Sequence, residues 1–428
     1  MTWSIRATVL QTPTPDALET LEDQIMVIDD RGKIASIEPA DTDAVADVTL
    51  PSTTVLLPGL IDTHLHAPQW PQLGTGLDLP LERWLFERTF PLEARFADTA
   101  WASTVWNDMV PRLLAGGTTT AVYYGSTHEA ATLALATACH AHGQRALVGR
   151  VAMDHTDGTP DWYRDESATE SVNASFRSVE AIHALGGRSG LVQPIITPRF
   201  IPACSDAALH GLGELAEATG TMVQTHVSES TWEHQYVIDR FGESDTEALV
   251  RLGLARNHSV LAHGVHLSTA DTARLVEVGA GVAHCPLSNS YFGNGVFPAR
   301  RSLSAGLRLG LGTDVAGGPE PSLLRQCSHA VTSSRMREDA GHPESRIDAV
   351  TAFWLATTSG ADLLGIDAGV LAPGRAFDAI AVDLTSAELG HWPDLDDWET
   401  AFEKIVRRGS ERSISQVWVD GVDVTPSP

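Results

Sequence analysis

The chain is 428 residues long and carries 29 Lys+Arg against 55 Asp+Glu, a formal charge of −26. Phosphate binding needs a basic surface, so this balance argues against a nucleic-acid binder while leaving a neutral purine or pyrimidine open as a ligand. With 43% hydrophobic and 20% charged residues, the composition is that of a globular core and not of a disordered chain.

The opening MTWSIRATVL has no basic stretch followed by an apolar run and a small-residue cleavage site. No later segment approaches the roughly 18 uninterrupted apolar residues of a spanning helix. Cys139, Cys204, Cys285 and Cys327 form no CxxC pair and read as small buried apolar residues in a reducing compartment. A cytoplasmic protein that meets no membrane is expected.

QIMVIDDRGKIASIEP sets two apolar runs around Asp30-Arg31-Gly32 and predicts a β-hairpin. Apolar strand-like runs then alternate with helix-like segments. The runs are VLLPGLIDTHLH, TTTAVYYG, RALVGRVAM, LVQPIITPRF, MVQTHVSE, SVLAHGVHL, GVAHCPLSN and LRLGLGTDV. Their number, about eight, is what a (β/α)8 barrel requires. Helical spacing is visible in AALHGLGELAEATG and in the set Val350, Phe353 and Trp354. Strand-like texture returns in AFDAIAVDL and SISQVWVDGVDV, so the two chain ends can pair into one small sheet domain. An open doubly wound sheet is the competing fold.

Polar residues stand where the runs stop: His64 and His66 after the first, Arg199 the fourth, His226 the fifth, His263 the sixth, Asp314 the eighth. In a parallel barrel these positions gather at the C-terminal rim. An extended His64-Leu65-His66 directs both imidazoles to one side, since side chains alternate with period two. Neutral imidazoles so placed can share one divalent metal, zinc being the best fit, with His226 and Asp314 completing a catalytic-type set. His263 reads as a hydrogen-bonding partner of the attacking water, with direct ligation as the alternative. Glu229 reads either as a helix-start charge, with Ser228 as a cap, or as a proton shuttle beside the metal. His128, His266 and His284 are expected to be structural.

PGLIDTHLH, TPRF, THVSE, AHG, AHCP and GTDVAGG, in that order, resemble the amidohydrolase superfamily. HLHxxQ, DLPLxxWL, TFPxExRF and GGTTTAVYY narrow the resemblance to its zinc-dependent guanine deaminases. It runs from the first β segment through GRAFDAIAVDL and VWVDG. The resemblance implies an α/β fold, a (β/α)8 TIM-type barrel over residues 58–368. A small composite β-sandwich domain would come from residues 1–57 and 369–428. It implies one zinc per chain held by His64, His66, His226 and Asp314, with His263 facing the attacking water and Glu229 carrying protons. Gln69 and Arg199 match positions that recognise the guanine ring, and Trp84 and Phe200 those of the adjacent apolar wall. Leu287 departs from the pattern, where guanine deaminases carry Asn, and bears on the geometry of the seventh loop. LVQPIITPRF holds no Lys to carbamylate, which favours one metal over two. The cytidine-deaminase signature HxE followed by PCxxC is missing.

The expected reaction is hydrolytic removal of the C2 amino group of guanine, yielding xanthine and ammonia, in a homodimer that binds guanine or a similar small nucleobase. The alternatives are a related aminohydrolase acting on 8-oxoguanine, a pterin or an aminotriazine, and a noncatalytic barrel scaffold.

Overall fold

The computed structural model describes residues 2–427 apart from 42–43, 77 and 186–189. Two long strands open the chain, β1 (Trp3–Thr14) and β2 (Ala17–Ile28), paired antiparallel. The chain then turns through Gly32 into β3 (Ile34–Pro39), the hairpin predicted from the sequence. The Asp29 carboxylate shapes that turn by accepting the N–H groups of Arg31 and Lys33, both at 2.9 Å. β4 (Val48–Thr49) and β5 (Thr54–Pro58) lie parallel to β1.

The run VLLPGLIDTHLH, read as one strand, is two. It breaks at Gly59, where a Cβ would come within 2.2 Å of Thr119 Oγ1. Only glycine lets the backbone pass that close. β5 stays with the terminal sheet, and β6 (Leu60–His66) begins the parallel strands. These continue as β7 (Thr118–Tyr124), β8 (Arg145–Gly149), β9 (Val151–Ala152), β10 (Val192–Pro194) and β11 (Thr197–Pro198). β12 (Gln224–Val227), β13 (Val260–His263), β14 (Gly281–His284) and β15 (Arg308–Leu311) complete the set.

Pairing runs β10-β8-β7-β6, β11-β9 and β12-β13-β14-β15, all parallel. A parallel bridge from Ile196 to Val223 links the region of β11 to that of β12. Beyond β15, Asp314 N–H donates to the His64 carbonyl at 2.9 Å, against β6. Helices cross between the strands, and their ends follow local chemistry. Asp98 caps Thr99–Ala115, Ser205 caps Asp206–Thr219, and Gly143 in the left-handed region ends Glu129–His142. The architecture is therefore α/β with parallel sheets.

β16 (Ala379–Asp383), β17 (Ile414–Val419) and β18 (Val422–Asp423) return to the first strands, with β16 antiparallel to β5. One mixed sheet, ordered β18-β17-β16-β5-β1-β2-β3 with β4 on β1, thus draws on both chain ends. Alternation sorts its two faces. Ile5, Val9, Leu56 and Trp418 pack on one, while Leu10, Val55, Leu57 and Ile380 join the larger core under the parallel strands. Among the described residues no helix is long and apolar enough to cross a membrane.

Asp378 ties this sheet to β8. It is 1% exposed, accepts Arg145 Nε at 2.9 Å and Nη2 at 3.1 Å, and takes the Asp420 N–H at 2.7 Å. Its own carbonyl receives the Gly59 N–H at 2.9 Å. Replacing Asp378 by Ala removes both close hydrogen bonds of the mostly buried Arg145 guanidinium and leaves it only Asp420 Oδ1 at 3.7 Å, a loss on the order of 2 kcal/mol. The expected result is a lower urea midpoint for Asp378→Ala, with turnover per folded molecule unchanged.

Candidate active site

His64 and His66 stand at alternate positions of β6, past a register shift that follows Asp62, and both face Asp314. His226 ends β12 one residue short, His263 closes β13, and Asp314 lies three residues past β15. His64 Nε2 is 3.2 Å and His66 Nε2 3.5 Å from Asp314 Oδ1, and His66 Nε2 is 3.1 Å from His226 Nε2. His64 Nε2 is nonetheless a buried atom with no aligned hydrogen-bond partner. His226 Nδ1 donates to the Arg199 carbonyl at 2.5 Å, which leaves Nε2 as the nitrogen with a free lone pair. Ring nitrogens and a carboxylate converging without a proton between them suit a cation. His64, His66 and His226 bring their ligand atoms together, as do His64, His263 and Asp314.

Burial is the first cause of the charge states here. It lowers the pKa of His64, and with the neighbouring His64 it takes His66 and His226 well below the ordinary histidine value. Neutral imidazoles result, the form that ligates metal. Burial also works against charge on Asp314, but His64, His263 and His66 outweigh it and hold the carboxyl far below the usual range. Glu229 goes the other way. Burial and the Asp314 charge push it up to about 8, against the pull of the Asn294 amide N–H at 3.1 Å. Glu229 Oε2 faces His263 Nε2 at 3.8 Å, and His263 Nδ1 donates to Asn289 Oδ1 at 3.0 Å.

A cavity opens above these groups. Of the residues singled out in the sequence, His66, Gln69, Trp84, Arg199, Phe200, His226, Glu229, His263 and Asp314 all line it. His64 packs against the rings of His66, His226 and His263. Trp84 comes from the helical turns over 81–93, which also supply Leu81 and Leu85, and its ring lies 5.1 Å from that of Phe292.

Arg199 is 2% exposed and forks onto Glu93, with Nη1 to Oε2 at 2.6 Å and Nη2 to Oε1 at 3.0 Å. Burial opposes its charge, yet Glu93 keeps the guanidinium pKa above its ordinary value.

Three backbone positions around the site are left-handed without being glycine: Ser228 at φ 48°, His263 at 74° and Asp314 at 50°. Such residues cost of order 1–3 kcal/mol each and persist where surrounding bonds over-determine them. Ser228 does not cap a helix as expected; Ser230 caps Thr231–Phe241, because its side chain reaches the Glu233 N–H. The Ser228 N–H and hydroxyl instead bind the buried Asp245, at 2.5 Å to Oδ2 and 2.6 Å to Oδ1. Leu287 packs toward Gly318, where a Cβ would meet its Cδ2 at 2.8 Å, and lies outside the cavity lining. Asn289, two residues on, supplies the polar contact of that loop to His263.

Sequence reasoning did not single out Glu93, Asn289, Asn294 or Phe292. Glu93 and Asn289 stand inside segments already quoted, TFPLEARF and AHCPLSN, whereas Asn294 and Phe292 sit in a loop whose composition carries no chemical signal.

Residues 55–424 match the amidohydrolase family. A probable guanine deaminase of Schizosaccharomyces pombe is 37% identical over 434 residues, covering 96% of this chain and 81% of that protein. The guanine deaminase of Mus musculus is 33% identical over 440 residues, covering 98% and 96%. The crystal structure of guanine deaminase from C. acetobutylicum with bound guanine superposes with a TM-score of 0.92 at 28% identity, covering 99% of this chain and 100% of that one.

His284, at the end of β14, belongs to none of the ligand groups, and burial lowers its pKa from 6.5 to about 3. The unfolded chain takes up that proton near pH 6.5 and the folded chain only near 3, so stability present above pH 6.5 drains as the pH falls. Between pH 7 and 5 this one residue should remove about 2 kcal/mol. His284→Gln is expected to lose correspondingly less stability over that interval in paired urea titrations. Equal losses in both proteins would contradict the assignment.

Proposed function

The chain belongs to the amidohydrolase family, and from that premise we propose that it deaminates guanine hydrolytically, releasing xanthine and ammonia. The observation that carries the reading is the junction, in one cavity, of a metal-suited His/Asp set with a buried carboxyl pushed up to about 8. The guanine deaminase relatives supply the substrate.

We place one zinc ion among His64, His66, His226 and Asp314. When bound, zinc lowers the pKa of a coordinated water toward about 7 and stabilises developing negative charge. The chain's own residues do the rest. Asp314 accepts a proton from the attacking water, and His263, held at Nδ1 by Asn289, orients that water through Nε2. Glu229, protonated near neutral pH because it is buried, donates to the ring nitrogen, takes up the proton of the hydroxyl added at C2 and passes it to the departing amine, and the proton held by Asp314 then restores it. Two carboxyls of one cavity with pKa values pushed apart divide the base and acid work. Arg199 and Gln69 direct N–H groups at the carbonyl and N7 acceptors of the purine. Trp84 and Phe200 exclude water from its faces.

We read β6 to β15 as a closed (β/α)8 barrel within residues 58–368, which the Asp314–His64 backbone bond and the parallel order support. Residues 1–57 and 369–428 are read as one composite β domain beside it. The four cysteines are buried and unpaired, which supports a reducing, cytoplasmic setting. A homodimer, the assembly the resemblance implies, is tested by light scattering.

Metal-loaded protein is expected to turn guanine into xanthine and ammonia in preference to 8-oxoguanine, a pterin and an aminotriazine. A stronger preference for another member of that panel would transfer the assignment to it. Absence of turnover on the whole panel would leave a scaffold.

His64→Ala should lose both metal and activity, and full turnover by rigorously metal-free protein would contradict the mechanism. Glu229→Gln keeps size while removing the titratable group. It should fold and retain metal while turnover falls at least about a hundredfold.

A further inference from the structure

We infer that Glu93 is the positioning residue that sets base specificity, its buried carboxylate holding Arg199 and Gln69 as a fixed, charge-balanced array of donors. Glu93 is 1% exposed and takes three N–H groups: Arg199 Nη1 at 2.6 Å, Arg199 Nη2 at 3.0 Å and Gln69 Nε2 at 3.1 Å. The Gln69 amide has no freedom to flip, because its Oε1 accepts the Ala316 N–H at 3.0 Å while its Nε2 faces the carboxylate. Phe90 lies beneath the guanidinium, 4.9 Å from ring centre to Cζ. Both recognition side chains are thereby locked before any base arrives.

Two consequences follow from valence and charge. Each terminal nitrogen of Arg199, and the Gln69 amide nitrogen, keeps one N–H beyond those given to Glu93. The array therefore offers donors, and a base edge carrying a carbonyl matches it where one carrying an amino group leaves donors facing donors. An unpaired Arg199 would also make the cavity attract anions. The Glu93 charge cancels that attraction, so a neutral base enters in preference to an acidic one.

This inference rests on the guanine reading and deepens it, and the test separates the two. Wild type, Glu93→Gln and Glu93→Asp are prepared as full-length metal-loaded proteins. They are assayed with guanine and with 2,6-diaminopurine, which carries an amino group at C6, and their affinity for urate, an anion at neutral pH, is measured by calorimetry. Glu93→Gln is isosteric but turns a shared acceptor into a donor. Its KM for guanine should rise at least about tenfold with kcat falling less, and the preference for guanine over diaminopurine should fall by a similar factor. Urate should bind it more tightly than it binds wild type.

Glu93→Asp keeps the charge but is too short to reach both partners. It should rescue exclusion of urate while leaving KM for guanine raised. A KM and a preference within about twofold of wild type in either folded variant would overturn the role. If Glu93→Gln fails to fold or to hold metal, Glu93→Asp decides alone. If wild type makes no xanthine, the guanine reading fails, and urate affinity, which needs no turnover, still decides whether Glu93 sets the charge of the cavity.

Discussion

Asp62 is fully buried in β6, and its oxygens take the Thr313 hydroxyl at 2.5 Å, the Thr313 N–H at 3.0 Å and the His64 N–H at 3.2 Å. One side chain thus fastens the strand that carries two histidines to the segment that carries Asp314. The next residue along continues the seam, with Asp314 N–H on the His64 carbonyl. Burial pushes the Asp62 carboxyl up to about 7, against the pull of its donors, so a carboxylate there depends on all of them being present. His64, His66 and Asp314 have their relative positions because of this joint. The other histidines of the cavity are placed relative to it through neighbouring parallel strands. A shift of β15 against β6 would part Asp314 from both histidines at once.

Electrostatics inside the molecule differ sharply from those outside. The chain carries a formal charge of −26, yet the buried Arg199 charge is matched by Glu93, while Asp314 faces imidazoles that burial keeps neutral. Acidic side chains at the surface are solvated and contribute to solubility, while those within are restricted to positions with donors. Glu229 is the exception. It has one side-chain donor, Asn294, and a negative neighbour, and the carboxyl answers by holding its proton.

The elements most legible in the sequence were those where spacing and chemistry coincide. His64 and His66 at period two, and His226 and His263 at the ends of apolar runs, sit in strands whose burial makes the runs apolar, and Asp314 follows the last of them. The terminal β segments were legible as strands, but their order in one sheet was not, because register across the whole chain leaves no local mark. The break at Gly59 was hidden for a related reason. It depends on Thr119, a residue brought beside it only by folding. Ser228, the cap one reading of the sequence offered, is turned by its left-handed backbone toward Asp245, and Ser230 caps the helix instead. Glu93 stood in the quoted TFPxExRF segment without a role, because its partners Arg199 and Gln69 meet it only in the fold.

The same geometry that makes the site reactive makes it the part of the fold least able to stand alone. His64 Nε2 is buried without an aligned partner, and two imidazole nitrogens of His66 and His226 face each other at 3.1 Å. Ser228, His263 and Asp314 add left-handed backbone that other residues could relieve only by moving the groups they aim. A cation bound to the folded chain alone offsets such costs by mass action, by about 4 kcal/mol at a thousandfold excess over its dissociation constant. The frame that tolerates the site without it is built elsewhere: Asp62 on Thr313, Asp245 on Ser228, and Asp378 on Arg145. Each is a buried acid with its donors supplied by a different segment of the chain. Rigidity around the cavity and incompleteness within it are therefore one design, in which preorganised groups are held ready for a ligand that supplies the missing charge.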